Sequence, residues 1–445
     1  MKQERLSYKT LILVSLMLFS MFFGAGNLIF PAYLGYSAGE NVWLSLAGFI
    51  TSAVGFPILG VMAVAKAKSF HNLASRVHPM FALLFPLIIY ISIGPALAIP
   101  RASTIAYEMG MKPFLSNGNQ SFYLFLYTLV FFGIVLWFSL TPSKLVDRFG
   151  KMLTPVVLSL IAIVFFKSML GASTSFNAPS GSYITNPLFQ GVLDGYLTMD
   201  ALAALVFGIV IANALRSKGL NDEKQLSTYM VGAGVGAGIL LAVIYGMLAY
   251  LGASRGIEVP VDNGAQVLTI LMNQLFGQAG VMILGLLFTL ACLCVSIGLV
   301  ISCSQYFGKL VPFISYKGWA FIISGLSVLT SNLGLNQILS VSVPILSTIY
   351  PMAIALIILG LIHNTIKRFP FTYITTVLAA GLFSLLEMIN KTFLSNSWDS
   401  FLSVMPLYQE GAGWVVPALI GFVVGVLISL VLPHSRNKLH KEQAA

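Results

Sequence analysis

Long apolar stretches separated by short polar ones dominate this sequence and restrict the folds open to it. About 20 consecutive apolar residues are needed for one helix to cross a bilayer. Twelve such windows can be placed, at residues 10–36, 41–65, 80–109, 121–140, 152–170, 194–215, 228–252, 278–304, 318–333, 338–362, 371–390 and 413–432. Hydrophobic residues make up 58% of the chain and charged residues 9%, which is unlike a soluble domain. The sequence predicts an all-α polytopic membrane protein with 12 transmembrane helices.

The positive charges indicate an orientation, because loops rich in lysine and arginine stay on the cytoplasmic side. With both termini placed in the cytoplasm, all but five of the 24 lysines and arginines fall in cytoplasmic segments. The exceptions are Lys112, Arg255 and Lys391 in outer loops and Arg101 and Lys167 within helices. Topology therefore explains the net charge of +10, and no nucleic-acid partner is expected. We predict a multi-pass protein of the cell membrane, embedded in the lipid bilayer.

Few residues of this chain are suited to enzymatic chemistry. Cys292, Cys294 and Cys303 lie on one predicted helix, which supports neither a disulfide framework nor a four-ligand metal site. All five histidines fall in predicted loops or in the C-terminal tail. No phosphate-binding loop and no paired acidic motif is present. The chain is therefore expected not to be an enzyme, to need no cofactor and to require no obligatory protein partner.

The first apolar window contains a glycine-rich interruption at Gly24, Ala25, Gly26 and Asn27. Glycine costs a helix interior about 1 kcal/mol relative to alanine. Freed backbone groups are tolerated at membrane depth only where protein or a water-filled cavity receives them. The interruption therefore predicts a helix broken at a binding site, with its amides offered to a carboxylate and its carbonyls to an ammonium group or a cation.

The spacing of the windows suggests an internal repeat. A loop near residues 171–193 separates five predicted helices from the next five, so that the second group would be inverted relative to the first. We expect one transporter domain with repeats at 10–170 and 194–362 and two additional helices at 371–432. The sixth window should then contain a second break, and Gly208 is the residue there that suggests one. An alternative is that Gly208 only permits close helix packing.

Four segments resemble the branched-chain amino acid:cation symporter family. They read FFGAGNLIFPAYLGYSAGENVW from Phe22, GPALAIPRASTIAYEMG from Gly94, DGYLTMDALAALVFGIVIANALRSKG from Asp194 and SNLGLNQILSVSVPILSTIYP from Ser331. The resemblance extends over nearly the whole chain. It implies a leucine-transporter-type fold and import of leucine, isoleucine and valine, driven by a proton or sodium gradient across a bacterial plasma membrane.

The resemblance and the residues together give a candidate substrate site. Gly24, Ala25, Gly26 and Asn27 would bind the amino and carboxyl groups of the amino acid. The apolar wall for its side chain would come from residues beside the expected second break, which are Val206, Phe207, Gly208 and Ile209.

The coupling ion is less clear from the sequence. The family commonly has threonine on the eighth helix where this chain has Cys294 and Val295. Thiol and isopropyl groups are poor ligands for sodium, so coupling to protons becomes more credible. A sodium site could still be assembled from Asn27, Ser296 and backbone carbonyls.

Charged residues inside a membrane segment are costly and are functional candidates by default. Asp200 lies in the sixth window, and Arg101 and Glu108 lie on the same face of the third. Arg101 could pair with Asp200 or Glu108 as an outer gate, or Asp200 could carry the coupling proton. A static ion pair joining two helices is the simpler alternative.

Two alternative functions are left open by the sequence. A carrier of another small neutral amino acid or organic solute is the first alternative, and a polytopic membrane enzyme is a remote one.

Overall fold

The computed structural model describes residues 7–115, 118–170, 176–220, 222–254, 261–409 and 411–432. Both chain termini, whose cytoplasmic placement was predicted, lie outside these ranges, as do Arg255, His434 and His440. The α-helices are α1 (Tyr8–Phe22), α2 (Ala25–Ala38), α3 (Val42–Ile50), α4 (Phe56–Ala67), α5 (Phe70–Ser75), α6 (Pro79–Ile91), α7 (Ala98–Gly110), α8 (Gln120–Ser139), α9 (Leu145–Arg148), α10 (Thr154–Leu170), α11 (Pro187–Tyr196), α12 (Asp200–Ser217), α13 (Glu223–Ala253), α14 (Gly264–Phe276), α15 (Gln278–Leu310), α16 (Tyr316–Ser331), α17 (Leu335–Leu361), α18 (His363–Ile366), α19 (Phe371–Phe393), α20 (Asp399–Leu402) and α21 (Val415–Val431).

Short helical segments of other types connect several of these helices. Turns of π-helix occur at Thr51–Gly55, Ser92–Ala96 and Phe149–Leu153, and 3₁₀ turns at Gly39–Asn41, Lys112–Phe114, Pro142–Lys144 and Gly181–Tyr183. Within the described residues the chain is helical and contains no strand. The predicted all-α class is confirmed.

The number of membrane spans is less definite than the class. In the part of the chain that the structure describes, nine helical stretches are long and apolar enough to cross a membrane. Two shorter apolar helices, Tyr8–Phe22 and Val415–Val431, add to them. The predicted number of twelve is therefore not confirmed, although every predicted apolar window overlaps a helix.

The described chain divides into two compact units. The first comprises Leu87–Leu346 together with the residues up to Phe70, and it contains both helix breaks discussed below. The second comprises His71–Pro86 and the residues from Ser347 onward. Within the second unit α19 packs closely on α21, because a β-carbon at Gly425 would lie only 2.2 Å from Thr375 Oγ1. The predicted inverted repeats and the two additional helices remain a prediction.

Close backbone contacts hold α2 against α13 in the first unit. A β-carbon at Gly35 would lie 1.9 Å from the carbonyl oxygen of Ala249, and one at Gly252 would lie 2.1 Å from that of Ala32. Only glycine fits at such separations, as in other membrane helix pairs that approach through small residues. We therefore treat α2 and α13 as one rigid pair.

Candidate functional site at two helix breaks

The first helix is broken where the sequence predicted. α1 ends at Phe22 and α2 begins at Ala25, while Phe23 and Gly24 have extended backbone angles. At the break Gly24 closely approaches a neighbouring helix: a β-carbon there would lie 3.1 Å from Val295 Cγ2 on α15. This part of the prediction is confirmed.

The break exposes backbone groups on both sides. The first amides of a helix have no intrahelical acceptor, and here they belong to Ala25, Gly26 and Asn27. The Ala25 amide lies within hydrogen-bonding reach of the Cys292 thiol. Pro31 lies inside α2 and has no N–H, so the Asn27 carbonyl lacks its usual donor one turn later. The break thus offers both donors and an acceptor.

The second break is not where the sequence placed it. α12 runs unbroken through Gly208, and the interruption lies earlier, at Leu197, Thr198 and Met199, between α11 and α12. Met199 has a positive φ of 57°. This left-handed conformation is uncommon for a residue other than glycine, and it separates α11 from α12. A β-carbon at Gly208 would lie 2.5 Å from Val64 Cγ1. The prediction of a break at Gly208 is therefore wrong, and close packing explains that glycine.

The corrected position makes Asp200 the first residue of α12. Its carboxylate lies at the helix N-terminus, where the dipole and free amides favour negative charge. The Asn27 side chain donates from Nδ2 to Asp200 Oδ2 at 2.6 Å and also to the Tyr245 hydroxyl on α13. Its Oδ1 accepts the Gly24 amide at 3.1 Å. One asparagine therefore joins the break in the first helix to the break in the sixth.

A cavity of about 400 Å³ opens between these two breaks, within the size range of small-molecule sites. Five of the residues that line it were predicted from the sequence as site residues: Gly24, Ala25, Gly26, Asn27 and Asp200. Its apolar wall includes Phe22, Ile93, Ala98, Ala102, Leu202, Ala203, Val295 and Leu299. The polar groups therefore meet at one place while most of the wall is apolar.

The four residues predicted to form the apolar wall lie elsewhere. Val206, Phe207, Gly208 and Ile209 are not among the cavity-lining residues. The Phe207 ring is fully buried and packs edge-on against Phe22 at 5.4 Å, and the Val206 carbonyl accepts the hydroxyl of Tyr90 at 3.4 Å. The role of these four residues in substrate binding stays a prediction. The residues of α12 that form part of the apolar wall are instead Leu202 and Ala203.

Arg101 and Glu108 line the same cavity as Asp200. Arg101 interacts electrostatically with Asp200, but among the described residues no ion pair within 4.0 Å joins it to either carboxylate. Glu108 instead pairs with Lys112 at 2.6 Å. The expected gating ion pair is thus not formed in this structure, although Arg101, Glu108 and Asp200 line the same cavity.

Cys294 and Val295 lie on α15, where the resemblance led us to expect threonine as an oxygen ligand for a cation. Val295 points its methyl at Gly24, and Cys294 lies beside the Ser20 hydroxyl, which is 2.6 Å from Thr154 Oγ1. Ser296 is fully buried and its hydroxyl has no hydrogen-bond partner within the described part of the chain. It is not among the cavity-lining residues. Asn27 and Ser296 remain only proposed as sodium ligands.

Comparisons with known proteins identify the family. The family described as branched-chain amino acid transport protein matches residues 7–432. This chain belongs to it. The branched-chain amino acid permease BraB of Bacillus subtilis is 44% identical over 98% of this chain and 99% of its own. BrnQ of the same organism is 41% identical over 96% and 98%, and the system 2 carrier protein of Pseudomonas aeruginosa is 38% identical over the same shares.

Solved structures confirm the predicted fold. The transporter Mhp1 of the nucleobase-cation-symport-1 family, closed with bromovinylhydantoin bound, aligns over 98% of this chain and 96% of its own with a TM-score of 0.57 and 11% identity. MhsT in complex with L-phenylalanine aligns over 96% and 98% with a TM-score of 0.51 and 15% identity. The chain is a multi-pass membrane protein of the leucine-transporter-type fold and is not an enzyme.

Proposed function

We propose that this protein imports leucine, isoleucine and valine by alternating access and couples their uptake to a proton gradient. The relatives named as branched-chain amino acid permeases support the substrate class. The observation that carries the proposal is the cavity between the two helix breaks, where backbone amides and Asp200 meet an apolar wall. A branched-chain amino acid matches this cavity, because its charged amino and carboxyl groups would face the polar residues and its side chain would face the apolar wall.

The substrate would bind with its carboxylate at the first turn of α2. The amides of Gly26 and Asn27 lie in the first turn of that helix, and its dipole favours an anion there. The ammonium group would lie at the carbonyls of the break. The branched side chain would pack against Val295, Ala203 and Ile93, where an additional charge would be costly because these three side chains are apolar and cannot pair with it.

Asp200 is the proposed proton carrier. It is buried, it lies at a helix break and it contacts Asn27 directly. The Thr198 hydroxyl is also within reach of this carboxyl and donates to the Gly195 carbonyl at 2.9 Å. Cys294 and Val295 replace the threonine that is common in the family, and this favours protons over sodium because thiol and apolar groups are poor ligands for hard cations.

The test is uptake of labelled isoleucine into proteoliposomes, with proton and sodium gradients imposed separately. Wild-type protein should accumulate isoleucine with a proton gradient in sodium-free buffer. Asp200→Asn preserves the shape but cannot titrate, so it should lose this accumulation and retain isoleucine exchange.

Asp194→Asn is the matched control. Asp194 lies on α11, is held by Tyr183 and Gln190 and is not among the cavity-lining residues. It should behave like wild type. Accumulation that needs sodium and ignores the proton gradient, together with a wild-type response of Asp200→Asn, would refute proton coupling.

A further inference from the structure

Tyr245 is a site residue that no feature of the sequence indicated. It lies in the C-terminal half of α13, its side chain is fully buried, and its hydroxyl accepts a hydrogen bond from Asn27 Nδ2. The ring packs edge-on against Phe49 of α3, with centroids 5.1 Å apart and an interplanar angle of 88°. Phe49 therefore fixes the direction in which the hydroxyl points.

The hydrogen bonds of Asn27 determine which way its amide group faces. The Gly24 backbone N–H can only donate, so the atom that faces it at 3.1 Å must be the amide oxygen. The amide nitrogen then faces Asp200 and Tyr245, and each of its two hydrogens has one acceptor. Three contacts in different directions leave a planar amide one orientation.

Asn27 and Tyr245 also belong to the helix pair that we treat as rigid. They lie on α2 and α13, whose backbones are in contact at Gly35 and Gly252. Asp200 belongs to α12 and begins after the second break. The hydrogen bond from Asn27 to Asp200 therefore links this rigid pair to the helix that carries the carboxylate.

We propose that Tyr245 is a positioning residue for the proton step: it holds the Asn27 amide so that one N–H stays on Asp200 Oδ2, which leaves Oδ1 as the oxygen that takes the proton. The inference rests on the proposed role of Asp200. The hydroxyl oxygen of a carboxylic acid is a weaker acceptor than its carbonyl oxygen, so a proton on Oδ2 would weaken the hydrogen bond from Asn27, whereas a proton on Oδ1 leaves Oδ2 as the better acceptor. The link between the two breaks is thus kept in both protonation states.

The other groups around Asp200 are compatible with this assignment. Arg101 of α7 interacts with it electrostatically, Glu108 of α7 lines the same cavity, and Cys292 of α15 interacts with Arg101. Thr198 precedes it in the break. None of these groups orients the Asn27 amide, so the effect of Tyr245 is separable from theirs.

The experiment compares Tyr245→Phe with Tyr250→Phe, which removes a hydroxyl from the same helix, where the Tyr250 ring packs on Phe165 and Phe176. Without the Tyr245 hydroxyl the Asn27 amide is less firmly held on Asp200. A donor to a carboxylate favours its charged form, so its loosening should move the pH of half-maximal proton-driven isoleucine uptake upward by about one unit. The Km at the acid plateau should stay unchanged, and Tyr250→Phe should follow the wild-type profile.

Two further variants separate the possible outcomes. In an Asp200→Asn background Tyr245→Phe should change isoleucine exchange no further, because it acts through Asp200. If Tyr245→Phe does not fold, Phe49→Leu loosens the ring while keeping the hydroxyl and should shift the profile in the same direction. A wild-type profile for a folded Tyr245→Phe or Phe49→Leu protein overturns the inference. Retained proton-driven accumulation in Asp200→Asn instead overturns the proposed function, whatever Tyr245→Phe does.

Discussion

The contact between Gly24 and Val295 provides a sharp test of the first helix break. Gly24 has φ −114° and ψ −168°, angles that any residue can adopt, so alanine there causes no backbone strain. Its added β-carbon would lie 3.1 Å from Val295 Cγ2 and 3.8 Å from Asn27 Oδ1. Only the valine contact is tighter than an ordinary van der Waals approach. Gly24→Ala therefore perturbs the break through one neighbour.

The expected size of the effect follows from this geometry. Overpacking of a filled site costs about 1–3 kcal/mol, and one methyl that must move by a few tenths of an ångström lies at the lower end. We expect Gly24→Ala to raise the Kd for isoleucine roughly fivefold, equivalent to about 1 kcal/mol. The Kd would be measured by titration calorimetry on purified, monodisperse protein.

A second substitution tests the cause. Val295→Ala removes the methyl that the new β-carbon meets, so the double variant should bind isoleucine about as well as Val295→Ala alone. Gly133→Ala is the control, because nothing lies within 4 Å of a β-carbon at that position of α8, and it should leave the Kd unchanged. If the fivefold loss persists in the double variant, the contact with Val295 does not explain it and the reasoning fails.

Other predictions concern the substrate and a loop between helices. Gly26→Leu should abolish isoleucine binding in folded protein, because a β-carbon there already lies 3.4 Å from the Phe30 ring and the longer side chain would fill the cavity; unchanged affinity would contradict this. Unlabelled leucine and valine should compete with isoleucine uptake and lysine should not, and strong competition by lysine would indicate another substrate class. The ammonium groups of Lys151 and Lys218 lower the pKa of Asp147, so its stabilising contribution is present above the ordinary aspartate pKa and disappears as the pH falls through the lowered one. The small difference in Tm between wild type and Asp147→Asn should accordingly vanish at acid pH, and a difference that grew on acidification would refute the assignment.

The fold class and the first break could be read from the sequence because each has a strong local cause. Apolar windows of membrane length can satisfy their backbone only as helices. Gly24 and Gly26 within one such window mark a place where the helix is weak. These signals depend on residues adjacent in the chain, and the structure confirms both the class and the break.

The second break could not be found by the same reasoning. It lies at residues 197–199, a segment without glycine. Met199 there adopts a left-handed conformation, which residues other than glycine rarely adopt. Gly208, the residue that suggested a break, instead accommodates Val64 from α4. A glycine that permits helix packing and a glycine that opens a helix look alike in one sequence, because the difference lies in a neighbour distant along the chain.

Tyr245 is a site residue that could not be recognised from the sequence. Nothing in the composition of α13 distinguishes it from Tyr250 five residues later, yet one hydroxyl contacts Asn27 and the other ring packs on phenylalanines. Asn27 itself was predicted from the sequence as a ligand, but in the structure both of its side-chain N–H groups and one lone pair of its oxygen join Asp200, Tyr245 and Gly24. Asn27 also lines the cavity, so it connects the proposed substrate space with Asp200. The proposed coupling between proton and amino acid therefore depends on the link that Asn27 makes between the two breaks, and Asp200 is the partner in that link whose charge can change.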